Sequence, residues 1–194
     1  MVENGVMEQT TSQRILTTAR SIVRQRGYSA FSYADIAEQV GIRKASIHYH
    51  FPSKDALVQK LVQQYREDMA RQCDVIEQSG AAPPQQLREF VRLYQRGLNQ
   101  EEICLCAMLA ADFAVLPGPV KQEITAYFQT LTAWLTRLLD GFETPLGIAD
   151  TGQAAQVLLA TLQGAQLMAR AQADRSRAFE QIVYPLLEAQ IPAV

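Results

Sequence analysis

Apolar positions recur every three or four residues along almost the whole chain, a spacing that predicts helices throughout and no strand. Ser12 is placed to cap a first helix in which Ile15, Leu16, Ala19, Ile22 and Val23 form one stripe, and Gly27 supplies its stop. Ser32, with Asp35 three residues on, opens a short helix carrying Ile36, Ala37 and Val40 that ends at Gly41. A second short helix runs from near Arg43 to Phe51, because Pro52 disfavours helical geometry in the residue before it. Ser53 caps a longer helix whose inner face is Leu57, Val58, Leu61, Val62, Tyr65 and Met69, out to about Glu77. Beyond a linker at 79–84, further helices are predicted to about Asn99, over Glu102 to Val115, and over 120–140, 151–172 and 176–189. The fold class is all-α: a three-helix unit holding a helix-turn-helix, followed by about six helices, with the division placed at residues 1–60 and 61–194.

Composition narrows this picture. With 48% hydrophobic and 20% charged residues, the 194-residue chain has ordinary globular content and is long enough to bury a sizeable core. No run approaches the roughly 18 apolar residues of a membrane span, and the N-terminal stretch has no signal-peptide pattern, so a cytoplasmic address and no membrane partner are expected. Cys73, Cys104 and Cys106 make an odd set without framework spacing, which argues against structural disulfides. The net charge of −2 is unevenly spread: residues 1–60 carry eight Lys/Arg against five Asp/Glu, and 61–194 carry ten against fifteen. Any polyanion partner belongs with the first of these.

The short helix R-K-A-S-I-H-Y-H-F, residues 43–51, is polar for a core element. Ala45, Ile47 and Phe51 are expected inside. Arg43, Lys44, Ser46, His48, Tyr49 and His50 offer charge, hydroxyl and imidazole groups within two turns, the mixture that bonds phosphate oxygens and base edges. Lys54, behind the Ser53 cap, is placed to meet a second phosphate. A polar surface helix with no ligand fits the same residues. A metal site does not: His48 and His50 lie about 200° apart around a helix. No cofactor is expected, and no Cys has a His or Asp beside it in sequence for nucleophilic chemistry.

Residues 34–57, A-D-I-A-E-Q-V-G-I-R-K-A-S-I-H-Y-H-F-P-S-K-D-A-L, resemble the signature of the TetR family of bacterial repressors through Ile36, Ala37, Gly41, Ser46, the H-Y-H-F run, Lys54 and Leu57. Arg26-Gly27-Tyr28 and Phe31 fit as well, so the resemblance covers about residues 12–60. It implies a dimeric, ligand-responsive repressor on double-stranded operator DNA. Lys44 then reaches the major groove, Ser46 and His50 bind phosphate, Tyr49 packs on the backbone, Lys54 anchors the start of the fourth helix, and Ser32 and Tyr33 contact backbone phosphates. His48 departs from the family, where Tyr is usual; the H-Y-H cluster is similar to an acrylate-responsive subgroup. A palindromic operator is expected, since one short helix buries too little for specific binding.

For residues 61–194 the resemblance implies a small-molecule effector site and a homodimer surface. The last two helices carry Val157, Leu158, Leu162, Leu167, Phe179, Ile182, Val183, Leu186 and Leu187, more apolar surface than one face uses; dimer contact or plain core would each account for it. Cys104, Met108, Phe113, Tyr127, Phe128, Trp134, Gln163 and Met168 are the expected pocket lining, although residues of these types at helical spacing also build ordinary core. The segment I-C-L-C-A-M-L-A-A-D, residues 103–112, is similar to that of the N-ethylmaleimide-reductase repressor type, in which a cysteine senses electrophiles. Cys104 aligns with that cysteine, yet a Cys in an apolar helix is ordinarily inert. Cys104 and Cys106 are expected on opposite sides of one helix. Two rival readings remain: a thiol-dependent helical enzyme acting through Cys104, and a helical adaptor that binds only protein.

Overall fold

A computed structural model describes residues 10–143 and 145–188 of the chain. Among the described residues there are nine α-helices and no strand. Three short ones come first, α1 (Thr11–Arg26), α2 (Tyr33–Val40) and α3 (Lys44–His50). They are followed by α4 (Lys54–Gln78), α5 (Pro83–Asn99), α6 (Leu105–Ala111), α7 (Gly118–Leu139), α8 (Thr151–Arg170) and α9 (Arg175–Glu188). The expected end of the last helix at 189 lies outside the described residues.

The α1 stripe is buried as its periodicity requires, with Ile15, Ala19 and Val23 fully inside. Its cap is Thr10 rather than Ser12: the Thr10 hydroxyl accepts from the Gln13 amide at 3.2 Å, so the helix starts earlier. Ser32 and Asp35 close a capping box on α2, and Ser53 accepts from the Ala56 amide to start α4. Between α2 and α3 the chain reverses at Gly41, whose φ of 74° is left-handed and whose amide returns to the Ala37 carbonyl at 3.0 Å. Helix α4 runs unbroken past residue 60 and packs on α1, α5, α6 and α7, so one continuous buried core extends from Ile15 to Leu187.

Residues 102–115 do not form the single helix their apolar spacing predicts. Glu101 adopts a positive φ of 60°, the Ile103 carbonyl accepts from Arg24 Nε at 2.7 Å, and the Cys104 amide donates to Gln166 Oε1 at 2.9 Å. These bonds from α1 and α8 withdraw the backbone groups a longer helix would need. Cys104 is therefore the residue before α6, not a member of it, and Asp112 separates α6 from a turn of 3₁₀ helix at Phe113–Val115.

Helices α7, α8 and α9 pack successively on α4 and on one another. Inward faces of the last two carry Leu158, Leu162, Phe179 and Val183. The opposite face of α8 leaves Val157, Leu167 and Met168 exposed, Met168 by 64%. No helix among the described residues is long and apolar enough to cross a membrane.

Candidate nucleic-acid interface and sensor core

Ile47 alone anchors α3, fully buried against the core. With one turn pinned, the rest of this short helix faces outward: Arg43, Lys44, His48, Tyr49 and His50 are all exposed, Tyr49 by 86%. Ala45, expected inside, is exposed too, because it lies on the far side of the helix from Ile47. Ser46 is half-buried. The His48 ring leans edge-on against Tyr33 with centroids 4.8 Å apart, and its Nδ1 lies 3.4 Å from the Pro52 carbonyl.

Three expected phosphate contacts have partners within the protein. Tyr33 is buried and its hydroxyl donates to the Phe51 carbonyl at 2.8 Å, which fixes the end of α3 rather than reaching outward. Burial pushes that phenol up to about 12. The Ser32 hydroxyl donates to Asp35 and accepts from the Ala34 amide, although the residue itself is exposed. Lys54 Nζ donates to the Phe31 carbonyl at 2.7 Å and sits over the Tyr28 and Phe31 rings at 4.4 and 4.3 Å. Partial burial holds its pKa below the usual lysine value. Lys54 thus ties α4 to the loop before α2.

Deeper in the chain, three buried tyrosines and a thiol meet. Tyr65 stacks on Tyr127 at 5.4 Å, and the Tyr127 hydroxyl lies 3.3 Å from Cys104 Sγ. Gln166 Nε2 donates to the Tyr94 carbonyl at 2.8 Å, and Gln163 Nε2 to the Tyr94 hydroxyl at 3.3 Å. Desolvation raises the pKa of all three phenols well above the ordinary range. A small cavity of about 20 Å³ adjoins Cys104, Tyr65, Tyr94 and Gln166. It has room for about one water-sized group.

Of the expected lining, Cys104 borders this cavity, and Tyr127 and Gln163 belong to the surrounding polar cluster. The rest is elsewhere. Met168 projects from the outer face of α8, and Phe113 is 42% exposed beneath Lys121. Trp134 packs on Phe90 at 5.2 Å and donates to Glu77 at 3.2 Å, while Met108 lies where α6 meets α1 and accepts from Arg170. Phe128 is half-buried against Tyr127. Residues not anticipated are Tyr65, Tyr94, Gln166 and Arg24. A glutamine and an arginine on otherwise apolar helix faces were the available signal.

Arg24 and Asp112 tie α1 and the residues just after it to the two ends of α6. Arg24, on α1, is 9% exposed, bonds the Ile103 carbonyl and pairs with the Glu102 carboxylate. At the far end of α6, one Asp112 carboxylate oxygen accepts from the Tyr28 and Ser29 amides at 2.9 and 3.1 Å. Arg170 of α8 reaches the Gln25 carbonyl.

The profile described as bacterial regulatory proteins, tetR family, matches residues 15–61. A crystal structure of a TetR-family transcriptional regulator from Agrobacterium tumefaciens is 38% identical, covers 92% of this chain and 96% of its own, and superposes with a TM-score of 0.87. The chain belongs to the TetR family. Two further proteins also match over most of the chain. The HTH-type transcriptional repressor DhaR from a Mycobacterium species is 24% identical over 185 residues, 93% of this chain and 92% of that protein. The reduced form of NemR from E. coli shares the fold, with a TM-score of 0.77 at 22% identity over 95% of this chain and all of its own. TetR-family proteins are transcriptional regulators, so α2, Gly41 and α3 are the family's helix-turn-helix and the chain is not an enzyme.

Proposed function

We propose that this chain is a transcriptional repressor that binds a palindromic operator as a homodimer and is released by a small effector. In this reading residues 1–60 are the DNA-binding unit and 61–194 the sensor and dimer unit. The observation that carries it is the outward face of α3, where Lys44, His48, Tyr49 and His50 stand exposed around a single buried Ile47. Lys44 reads a base edge, Arg43, Ser46 and His50 hold phosphates, and Tyr49 packs on the backbone. Ser32 contributes from the start of α2 only by giving up a capping bond. Tyr33 and Lys54 act indirectly by holding α3 and α4 in place.

The exposed residues Val157, Ala160, Leu167 and Met168 on α8, with half-buried Gly164 among them, support a second copy packed there through α8 and α9. Such a pair would present two α3 helices about 34 to 36 Å apart, one turn of B-form DNA. The Mycobacterium relative is a transcriptional repressor, which supports this sign of regulation.

The test is a duplex selected from random DNA, titrated over a salt series. Log affinity should fall steeply and linearly with log salt concentration, because the release of DNA counterions on binding is less favourable at high salt. Lys44→Ala should cost about 1 to 3 kcal/mol and relax one base position. Salt-independent binding, or none, would return the chain to the adaptor reading.

A second reading, covalent sensing of an electrophile by Cys104, is favoured by one observation: Cys104 borders the inner cavity, with its sulfur 3.3 Å from the Tyr127 hydroxyl. Native protein treated briefly with N-ethylmaleimide should then carry one adduct that Cys104→Ser lacks. An adduct that persists in that variant rejects the reading.

A further inference from the structure

A wider cleft opens over the inner cavity, between α1, α4 and α5. It encloses about 400 Å³ and shares Arg24, Tyr65, Met69 and Leu93 with the small cavity as common walls. That volume lies within the range of about 300 to 1,000 Å³ typical of small-ligand sites, whereas the inner cavity is far too small to hold one.

The lining of this cleft is rich in positive charge. Arg20, Arg24, Arg71 and Arg96 line it against a single carboxylate, Asp68. Asp68 already pairs with both Arg20, at 2.8 Å, and Arg71, and Glu102 pairs with Arg24. Arg96, in the last turn of α5, has no ion pair among the described residues. The cleft therefore holds an uncompensated cation at its mouth and a nine-tenths buried guanidinium at its floor. Between them lie the apolar side chains of Met69 and Leu93.

We infer that this cleft binds a small organic carboxylate with a short apolar chain, and that the ligand competes with Glu102 for Arg24. This rests on the reading of the chain as a ligand-responsive regulator and adds the chemistry of the ligand and the route of its signal. A guanidinium fork matches a carboxylate in two parallel bonds, and Arg96 and Arg24 offer two such forks along one cleft. Met69 and Leu93 take the alkyl part.

The competition supplies the signal. When a ligand carboxylate takes the Arg24 donors, Glu102 and the Ile103 carbonyl lose their partner on α1. Both residues lead directly into Cys104 and α6, whose other end holds the Tyr28 and Ser29 amides through Asp112. Loss of one tie shifts the balance between conformers that place α3 differently on DNA.

Calorimetric titration of the full chain with the straight-chain acids from propanoate to octanoate, their amides and the matching alkylamines tests this. At least one acid should saturate, with its amide and amine weaker by roughly tenfold or more. Arg96→Gln, a surface change away from α3, should weaken that acid by about tenfold while leaving affinity for the selected duplex unchanged, and Arg96→Lys should restore part of it. Glu102→Gln should act in opposite senses, raising affinity for the acid and lowering it for DNA; a merely structural role would not strengthen acid binding. The inference is overturned if no acid saturates, if amides bind as well as acids, if inorganic phosphate binds as tightly as octanoate, or if Arg96→Gln changes nothing. In each of these cases DNA binding by the unmodified chain still stands or falls separately, and with it the repressor reading.

Discussion

Asp35 carries more of the DNA-binding end than its exposure suggests. Its carboxylate accepts from both the Ser32 amide and the Ser32 hydroxyl, each at 2.7 Å, and these bonds hold its pKa below the ordinary value of 3.8. A folded-state pKa below the unfolded one means that the stabilisation is complete above the unfolded value and disappears as pH falls through the folded one. Asp35→Asn should therefore lower the melting temperature at neutral pH, and the gap from the unsubstituted chain should close on acidification below the usual carboxylate range. A gap that stays constant down to strong acid would show that the carboxylate's charge is not what closes the cap. The same residues illustrate how a sequence reading can find a group and still miss what it bonds to within the protein. The spacing of Ser32 and Asp35 identified the cap, but that cap occupies the hydroxyl expected to meet phosphate. Tyr33 was likewise legible as a residue near the site, yet only the fold shows its hydroxyl turned to Phe51.

At the scale of elements, α1 to α4 were legible because their determinants are local: a stripe, a capping hydroxyl, a glycine stop. The stretch before α6 was not, because residues far away in sequence decide it. Arg24, Gln166 and Gly97 come from three other helices, and no periodicity within 100–115 reports them. Gly97 makes the approach possible. A Cβ there would stand 2.7 Å from Arg24 Nη2 and 2.9 Å from the Glu102 carbonyl. Replacing a glycine within a helix by alanine normally stabilises by up to about 1 kcal/mol. Gly97→Ala should instead destabilise by about 1 to 3 kcal/mol, as overpacking does, while weakening duplex affinity through the displaced Arg24. Chemical denaturation that finds the variant more stable would mean the guanidinium moves aside without loss.

For the whole molecule, the sequence conveyed an all-helical chain with a polar DNA-facing helix, but it could not distinguish core stripes from surface ones. Leu162 and Leu167 look alike in the sequence; the first is fully buried and the second 51% exposed. Met168, expected inside, shares the outer face of α8 with Leu167. If that face joins two copies, Leu167→Glu combined with Met168→Glu should weaken self-association by about 2 kcal/mol or more, as loss of an interface centre does. Sedimentation should then show monomers, and duplex affinity should fall with them. A variant that remains dimeric would place the contact elsewhere.

The chain contains one tryptophan, Trp134, and its surroundings make it a built-in reporter of the inner cavity. Its indole donates to Glu77 and packs on Phe90, Phe90 lies 5.5 Å from Tyr94, and Tyr94 passes through Gln166 to the backbone of Cys104. Any occupant that repositions Tyr94 perturbs the environment of the indole two contacts away. Its emission can thus be followed label-free, without attaching a dye to any of the three cysteines.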